Sequence, residues 1–492
     1  MSVEVLTRKV ELKKKLEAIQ CKKNFFQFAK TFWDIIIPEE PVWNWHIEYL
    51  CNQLQIIAEN VKDRKPKLYD LIINIPPGST KSTIVTILYP AWCWVIDPAQ
   101  RFITSSHNLD LSTEHAVKSR DVIKSDRFRE YFGYIEIKSD QDNKRDYQNN
   151  SGGARVVASV GSAITGKHAH QLIIDDPLSP QKANSDIERD KANKWNDTTL
   201  STRKVDKEIT PTILVMQRLH ENDLTGHILS KGKKVKHICL PAELSKLVKP
   251  EHLKEKYVDG LLDPIRLSKS ILEEAKKDLG SYGYANQFDQ SGAPLEGGIF
   301  KRDWFDVINF ETFNNIVNGR NIVWNFKVDG AYTDKTENDP CGIWVSCFLD
   351  NKIYVRTFHQ GWYQQPEFIK KLKEFLPENG YTYQSITAIE PKANGISTVQ
   401  TLQRETRLNV TEYKFPKSNK ISGSDSKVTR AWACSPSAES KRVVFIDGAY
   451  VNDTIEQIVN FPNASHDEAV DCMVMDIAEN FIGHPRNTYD VR

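Results

Sequence analysis

The sequence has few of the features that mark secreted, membrane or strongly basic proteins. Its 8 cysteines are scattered among 492 residues with no C-x-x-C pair, which argues against a zinc site or a disulfide framework and fits a reducing cytoplasm. No apolar run approaches the ~20 residues that a membrane helix needs, so we predict neither a membrane span nor a secretory signal. The formal net charge is only +1, so any nucleic-acid site must come from local clusters of basic residues. We find no internal repeat and no low-complexity segment.

The chain is too long for one ordinary core, and its pattern predicts two α/β domains. Short β-rich runs alternate with helical stretches from about residue 68 to 225, which predicts a mostly parallel sheet covered on both faces. Farther on, a strand meander followed by alternating helices and strands is typical of a ribonuclease-H-like fold. The basic amphipathic start suits a solvated docking helix or a DNA- or partner-contacting arm. The predicted parts are a helical region (1–60), the parallel-sheet domain (61–286), a linker (287–318) and the ribonuclease-H-like domain (319–492).

Two loops compete for the role of a phosphate-binding loop. Residues 161–168 carry the glycines and the lysine, Lys167, of the pattern G-x-x-x-x-G-K-[ST] but end in histidine, whereas residues 75–83 keep Lys81 and the following serine but lack both glycines. Phosphate binding needs a buried strand that turns into a helix N-terminus, where backbone N–H groups and the helix dipole meet the anion. Only residues 75–83 have this context, since 161–168 lie between two predicted strands. We therefore predict that Lys81 is the phosphate-binding lysine. We predict that residues 161–168 form a connection that lies close to this site, and the alternative is that they form a second nucleotide site.

A pair of acids ends an apolar run downstream of this loop. Asp175 and Asp176 lie at the predicted carboxyl edge of the sheet, where one acid can hold Mg²⁺ and the next can orient the attacking water. Two adjacent acids at the end of a strand can also belong to a solvent-exposed turn with no catalytic role, which is the alternative interpretation. A later strand ends in Gln217 and Arg218, which could sense the γ-phosphate. The predicted ATP-binding residues are Pro77, Gly78, Ser79, Thr80, Lys81, Ser82, Thr83, Asp175 and Gln217, with Ser82 and Asp175 on Mg²⁺ and Asp176 as the catalytic acid.

Acids in the second half of the chain predict a two-metal nuclease site. Asp329 and Glu390 each end a predicted strand, and Asp467 and Asp471 lie four apart on one face of a helix. Two-metal hydrolysis needs carboxylates that converge from separate elements on two cations about 4 Å apart. Unrelated surface or capping acids are the alternative, and we rank Asp467 above Asp471. Two further acids in a polar loop, either extra ligands or parts of a turn, are Asp334 and Asp339.

Basic residues lie close to these acids in the sequence. Lys427, Arg430, Lys441 and Arg442 could neutralise the phosphates of the scissile strand, and a solvated charged face is the alternative. The stretch has no base-reading signature. We therefore predict DNA binding and cleavage that tolerate different sequences.

In their order along the chain, these motifs resemble the large terminase subunit of tailed bacteriophages, the motor and nuclease of genome packaging. The resemblance rests on WNWHIEYLCNQL, the P-P-x-x-x-K-S loop, LIIDDP, MQRLHENDLTGHIL and FPNASHDEAVD. It departs at three places. The family usually has Glu at Asp176 and a Thr-containing coupling motif at Met216 and Gln217. At His46 many members have a Gln that reads adenine, so we expect stacking of the base on Trp43 or Trp45 instead.

The resemblance implies ATP-driven translocation of double-stranded DNA into a procapsid and metal-dependent cutting of concatemeric DNA. It implies ATP with Mg²⁺ at the first site and two divalent cations, Mg²⁺ or Mn²⁺, at the second. The implied partners are DNA, the portal protein and procapsid, a small terminase subunit and further copies in a ring, with no membrane, in the cytoplasm of an infected bacterial host. A ring implies an arginine finger from a neighbouring copy, for which Arg120, Arg127 and Arg129 are candidates. The alternatives are a DDE-type recombinase or defence nuclease with an accessory ATPase, and a packaging motor with an inactive nuclease domain.

Overall fold

The computed structural model of the chain describes residues 3–292, 298–330, 340–391, 395–416, 418, 421–423 and 425–483, without the side chains of residues 3–7. It forms two compact units, Met1–Lys276 with Tyr282–Pro294 and Lys277–Ser281 with Leu295–Arg492. Both units are α/β, as predicted. Within the described ranges, no helix has both the length and the apolar character needed to cross a membrane.

The first unit is built on an eight-stranded sheet with the order β3-β4-β5-β2-β6-β7-β1-β8. All neighbouring strands pair in parallel except β3 with β4 and β4 with β5. The central strands are buried along nearly their whole length, as expected for a parallel sheet covered on both faces. The strands are β1 (Asp70–Asn74), β2 (Arg101–Ser106), β3 (Ile137–Asp142), β4 (Asp146–Asn149), β5 (Ala154–Ser159), β6 (Gln171–Asp175), β7 (Thr212–Met216) and β8 (Val235–Cys239).

Helices precede and connect these strands. The predicted helical stretch around residue 125 is two helices, because the Ser125 hydroxyl accepts from the Phe128 amide and caps the second one. The last helix is interrupted at Gly280, whose φ is 67°. The helices are α1 (Val3–Lys23), α2 (Phe25–Phe32), α3 (Trp45–Lys62), the helical segment Thr83–Leu88 leading into α4 (Tyr89–Ile96), α5 (Leu109–Lys124), α6 (Asp126–Phe132), α7 (Asp186–Thr198), α8 (Leu224–Ser230) and α9 (Lys269–Gln287).

The second unit is built on a seven-stranded sheet with the order β14-β13-β10-β11-β12-β15-β9. Strands β10, β11 and β12 form an antiparallel meander, β13 pairs in parallel with β10, and β14 pairs in parallel with β13. This arrangement confirms the predicted ribonuclease-H-like fold. The strands are β9 (Asp306–Ile308), β10 (Asn325–Asp329), β11 (Cys341–Leu349), β12 (Lys352–Gly361), β13 (Thr387–Ile389), β14 (Val410–Glu412) and β15 (Val443–Ile446).

Apolar side chains cover both faces of this second sheet, and a central helix, α15, is buried from end to end. The predicted linker, 287–318, is too long. Strand β9 pairs with β15, and Phe313 of the next helix packs on Trp324 in the core, so its second half belongs to this unit. The helices are α10 (Phe310–Val317), α11 (Gln365–Glu378), α12 (Gly395–Glu405), α13 (Lys427–Glu439), α14 (Val451–Asn460) and α15 (Glu468–Ile477), which continues as Ala478–Ile482.

Candidate nucleotide and metal sites

The loop of residues 75–82, called the phosphate loop below, joins β1 to the helical segment that begins at Thr83, as predicted. Gly78 and Thr80 take positive φ values of 75° and 68°, a region that a β-branched residue rarely adopts. The Thr80 hydroxyl accepts a hydrogen bond of 2.7 Å from the Arg266 guanidinium. The buried Ser79 hydroxyl donates to the carbonyl of Pro76 at 2.6 Å. These contacts hold the loop as a turn in front of a helix N-terminus.

The competing loop, residues 161–168, joins β5 to β6 with no helix between them. Gly161 and Gly166 take positive φ values of 85° and 69°, so the glycines serve turns, as predicted. The Lys167 ammonium lies 2.5 Å from an Asp146 carboxylate oxygen, and both side chains are substantially exposed. Residues 161–168 thus match most of the phosphate-binding sequence pattern, but no helix follows them whose dipole could stabilise a bound anion.

Asp175, the last residue of β6, lies against the start of the helix that follows the phosphate loop. Its carboxylate accepts from the Ser82 hydroxyl at 3.1 Å and from the Thr86 hydroxyl at 2.7 Å. Burial, together with the neighbouring charge of Asp176, raises the pKa of Asp175 to about 6. The predicted Mg²⁺ ligands Ser82 and Asp175 are therefore in direct contact.

Asp176 faces the phosphate lysine. Its backbone takes a φ of 43°, and one carboxylate oxygen lies 2.8 Å from the ammonium of Lys81. The other oxygen accepts from the backbone N–H of Gln217 at 3.3 Å. The fold thus brings the predicted lysine, both acids and Gln217 together at the carboxyl edge of the sheet.

Three residues around Asp175 escaped the sequence prediction. They are Thr86, His115 on α5 and Arg155 on β5. The His115 Nδ1 lies 3.5 Å from Asp175, and the fully buried Arg155 donates to the Thr86 carbonyl at 2.8 Å. Each comes from a different part of the chain, so no local spacing could have indicated the group.

The two residues after β7 have different roles. The Gln217 Oε1 is buried, and it has no hydrogen-bond partner among the described residues. The Arg218 guanidinium instead donates to Asp223 at 2.9 Å and to the carbonyls of His220 and Glu221. Its donors hold its own loop together, and the expectation that Arg218 senses the γ-phosphate stays a prediction.

His46 lies beside the phosphate loop. Its Nε2 is 3.2 Å from the Ser79 carbonyl oxygen, and burial lowers the pKa of His46 to about 4. The indole of Trp43 packs edge-on against two other aromatic rings, and Trp45 packs against Tyr257. The structure thus gives His46 a direct contact with the phosphate loop, while base stacking on either Trp stays a prediction.

The three arginine-finger candidates all pair with acids of their own chain. Arg120 pairs with Asp142 at 2.8 Å, Arg127 with Asp34 at 2.6 Å, and Arg129 with Asp126 at 3.5 Å. The exposed fractions of the arginine side chains are 12%, 39% and 60% in that order. Arg129 is the most accessible of the three and has the longest ion pair.

The second unit holds a triplet of carboxylates. Asp329 ends β10, Glu390 follows β13 and Asp471 lies on α15; one oxygen from each falls within 4.8 Å of the other two. Strands β10 and β13 are parallel neighbours, so their carboxyl ends meet at one edge of the sheet. Carboxylate oxygens are the ligands that Mg²⁺ and Mn²⁺ prefer, so this donor set fits a divalent cation.

Asp471, not Asp467, completes the triplet. Asp467 immediately precedes α15 and is partly exposed, while Asp471, one turn into that helix, is buried against the sheet. The Lys427 ammonium bridges them, 2.5 Å from Asp467 and 2.7 Å from Asp471. The order in which the sequence ranked these two acids is therefore wrong, because spacing places both on one face without showing which end is buried. Asp334 and Asp339 lie outside the described residues.

The predicted DNA contact Arg430 is buried, with an exposed side-chain fraction of 2%. Its guanidinium lies 3.1 Å from Glu390 and 3.3 Å from Asp471, and it stacks over the ring of Phe415 at 4.8 Å. The prediction that Arg430 contacts DNA is wrong, since its donors point at the acids and away from solvent.

The other basic residues remain nearer to solvent. Burial lowers the pKa of Lys427, but its ion pairs with Asp471 and Asp467 have the larger effect. The pKa of Lys427 therefore lies above its usual range. Lys441 pairs with Asp306 at 2.8 Å, and Arg442 stacks over the Phe481 ring at 5.1 Å. Burial also raises the pKa of Asp471, against the effect of Lys427.

Comparison with known proteins finds similarity to solved structures alone. No family model and no curated protein matches the sequence. The large terminase of one thermophilic bacteriophage aligns over 88% of this chain and 99% of that chain, with 11% identity and a TM-score of 0.48. The large terminase of bacteriophage HK97 aligns over 90% and 97%, with 10% identity and a TM-score of 0.34. The large terminase nuclease of a second thermophilic phage, G20c, aligns over 37% and 97%, with 11% identity and a TM-score of 0.26. Two of these three structures are large terminases, and the third is a large-terminase nuclease.

Proposed function

We propose that this chain is a viral DNA-packaging enzyme that moves double-stranded DNA into a procapsid by ATP hydrolysis and cuts concatemeric DNA with a metal-dependent nuclease. One observation carries the proposal: a single chain holds two separate sets of catalytic groups. Lys81, Asp175 and Asp176 meet at a strand–loop–helix junction, and three carboxylates meet at the edge of a ribonuclease-H-like sheet.

In the first site, the Lys81 ammonium and the backbone N–H groups at the start of the helix bind the phosphates of ATP. Ser82 and Asp175 would hold Mg²⁺, which would supply positive charge to the phosphate oxygens. Lys81 donates to Asp176 in the structure, and phosphate oxygens compete for the same ammonium. Once Lys81 binds phosphate, Asp176 is released to accept a proton from the attacking water, beside the Gln217 amide.

In the second site, Asp329, Glu390 and Asp471 would hold the divalent metal, which would supply Lewis-acid stabilisation of the phosphate and lower the pKa of bound water. Lys427 is the basic residue of this site with access to solvent, since 35% of its side chain is exposed. It donates to a phosphate oxygen of the scissile strand. Because Lys427 contacts a phosphate and not a base, we expect the nuclease to cut DNA of different base sequences.

The packaging role implies further partners. We propose that several copies form a ring on the portal of a procapsid in the cytoplasm of an infected bacterium, with a small terminase subunit that delivers DNA. In such a ring Arg129 is the best placed of the arginine-finger candidates, because its side chain is 60% exposed. An arginine supplied in trans stabilises the transition-state charge.

Two alternatives predict different outcomes. A DDE-type recombinase with an accessory ATPase would join DNA strands, so the appearance of joined products with a labelled duplex would favour it. A packaging motor with an inactive nuclease would hydrolyse ATP without cutting. The convergence of three carboxylates within 4.8 Å supports an active nuclease.

The test of the first site is ATP turnover by Lys81→Ala and Lys167→Ala chains. We expect Lys81→Ala to lose about 10²-fold or more in turnover, because a buried donor to the phosphates is removed. Lys167→Ala is the matched control, since this lysine pairs with Asp146 in the competing loop, and it should remain near wild type. The opposite pattern would assign the nucleotide to residues 161–168.

The test of the second site is cleavage of plasmid DNA with Mg²⁺ or Mn²⁺ by an Asp329→Asn chain. We expect loss of cleavage with ATP turnover near the wild-type level, because the substitution removes one carboxylate of the triplet. Asp350→Asn is the control, since Asp350 is an exposed acid of the same unit that pairs with Arg320. Cleavage that survives in Asp329→Asn would refute the nuclease assignment.

A further inference from the structure

Three acids of the second site are already paired with two cations of the chain. We use "acid cluster" for Asp329, Glu390, Asp467 and Asp471. Arg430 lies 3.1 Å from one oxygen of Glu390 and 3.3 Å from one oxygen of Asp471, and Lys427 lies within 2.7 Å of Asp467 and Asp471. These contacts raise the question of how many metal ions the cluster accepts.

We propose that Arg430 stands in the place of a second divalent cation, so that the acid cluster takes up a single Mg²⁺ or Mn²⁺. The inference rests on the proposed nuclease function and replaces the two cations expected from the sequence. A pair of metals would lie roughly 3.5–4 Å apart and share carboxylate oxygens between them. Arg430 occupies one oxygen of Glu390 and one of Asp471, two of the three acids of the triplet.

Burial and ring stacking hold the Arg430 side chain in the site. Its side chain is 2% exposed, and the Phe415 ring lies 4.8 Å beneath its guanidinium. Removing a buried arginine from two buried carboxylates would leave their charges uncompensated, which is strongly unfavourable. Lys427 differs, because a third of its side chain is exposed and its ammonium can leave the acids for a phosphate.

The charges of the cluster favour one metal ion. In the chain without DNA, its four carboxylates carry four negative charges when ionised, and Arg430 and Lys427 balance two of them. One divalent cation balances the remaining two. A second would leave a net positive charge in a largely buried site, where unbalanced charge is poorly screened.

The experiment counts Mn²⁺ bound to the full chain without nucleotide, from the electron paramagnetic resonance signal of free Mn²⁺ during titration. The reference is an Asp329→Asn/Glu390→Gln chain, which lacks two of the ligands but keeps any Mn²⁺ bound elsewhere. We expect the wild type to bind one Mn²⁺ more than this reference. A difference of two would overturn the inference and leave the nuclease proposal intact. A difference of zero would overturn both, since no metal would then occupy the cluster.

Variants of Arg430 test the role of its charge by the same count. We expect Arg430→Gln to bind two Mn²⁺ more than the reference and Arg430→Lys to bind one, because lysine keeps the positive charge. The matched control is Arg404→Gln, an exposed arginine of the same unit that pairs with Glu405, and it should bind one. A folded Arg430→Gln chain, checked by circular dichroism, that still bound one would overturn the inference. The wild-type count tests the inference even if this variant does not fold.

Discussion

At the scale of single residues, three histidines lie near the nucleotide site, of which His46 and His115 are buried and His237 is partly buried. His46 contacts the Ser79 carbonyl, His115 faces Asp175, and the Nε2 of His237 lies 2.7 Å from the Asn74 side-chain oxygen. Burial lowers the pKa of His46 and of His115 to about 4, and that of His237 to about 3. All three are therefore neutral in the folded chain near pH 7.

These histidines predict that the first unit loses stability in mild acid. Below the ordinary histidine pKa of about 6.5, these histidines are protonated in the unfolded chain but stay neutral in the folded chain. The free energy of unfolding therefore falls as the pH drops from about 6.5 towards 4. For His46 alone the loss amounts to roughly 2–3 kcal/mol. Thermal unfolding between pH 7 and pH 4.5 measures it.

A His46→Gln chain separates this effect from general acid denaturation. Glutamine does not titrate, so we expect a smaller loss of stability between pH 7 and pH 4.5 than in the wild type. His168→Gln is the control, because His168 is exposed, and its pH profile should match the wild type. Equal losses in the His46→Gln and wild-type chains would show that His46 is not the source.

At the scale of elements, the connection from β7 to α8 depends on one buried acid. Asp223 caps α8 by accepting from the Gly226 amide at 3.0 Å, and it also accepts from the Leu219 amide and the Arg218 guanidinium. Its exposed fraction is 0%. The same carboxylate thus ends the turn, starts the helix and neutralises the arginine.

We predict that Asp223→Ala lowers the free energy of unfolding by about 3 kcal/mol, because the Arg218 charge, whose side chain is only 12% exposed, loses its fully buried partner. Urea denaturation measures the loss, and hydrogen exchange should accelerate in residues 217–226. Glu221→Gln, at an exposed neighbouring position, should change stability by less than about 0.5 kcal/mol. An Asp223→Ala chain as stable as this control would contradict the assigned role.

Elements are also where prediction from the sequence worked best for the sites. Asp175, Asp329 and Glu390 each stand at the end of a strand, and parallel strands deliver such residues to one edge of a sheet. The choice between the two loops followed from the helix after residue 82. The sequence failed for Asp467 and Asp471, because a helical spacing of four places both on one face but does not show where the helix enters the core.

At the scale of the whole molecule, each unit has its own sheet and its own apolar clusters. We predict two thermal transitions with different ligand responses. With Mg²⁺ present throughout, added ATP should stabilise the first unit, and added Mn²⁺ without Mg²⁺ or ATP should stabilise the second. Each free energy of unfolding should rise by about 2.7 kcal/mol when the ligand is at 100 times its dissociation constant. Differential scanning calorimetry measures both shifts.

The variants of the two sites assign these transitions. The Lys81→Ala chain should lose the response to ATP and keep the response to Mn²⁺, and the Asp329→Asn chain should do the reverse. A single transition that both ligands shift together would contradict the separate behaviour of the two units.

The sequence by itself determined the fold class, the position of several acids at strand ends and the loop that leads into a helix. These properties depend on apolar periodicity and on turn residues close together in the chain. Only the tertiary structure decided that Arg430 is a partner of the acids instead of a DNA contact, that Arg218 binds Asp223, and that His46 contacts the phosphate loop. The physical reason is that a charged or titratable side chain takes its role from its burial and its partners, and both are set by parts of the chain that are distant in sequence.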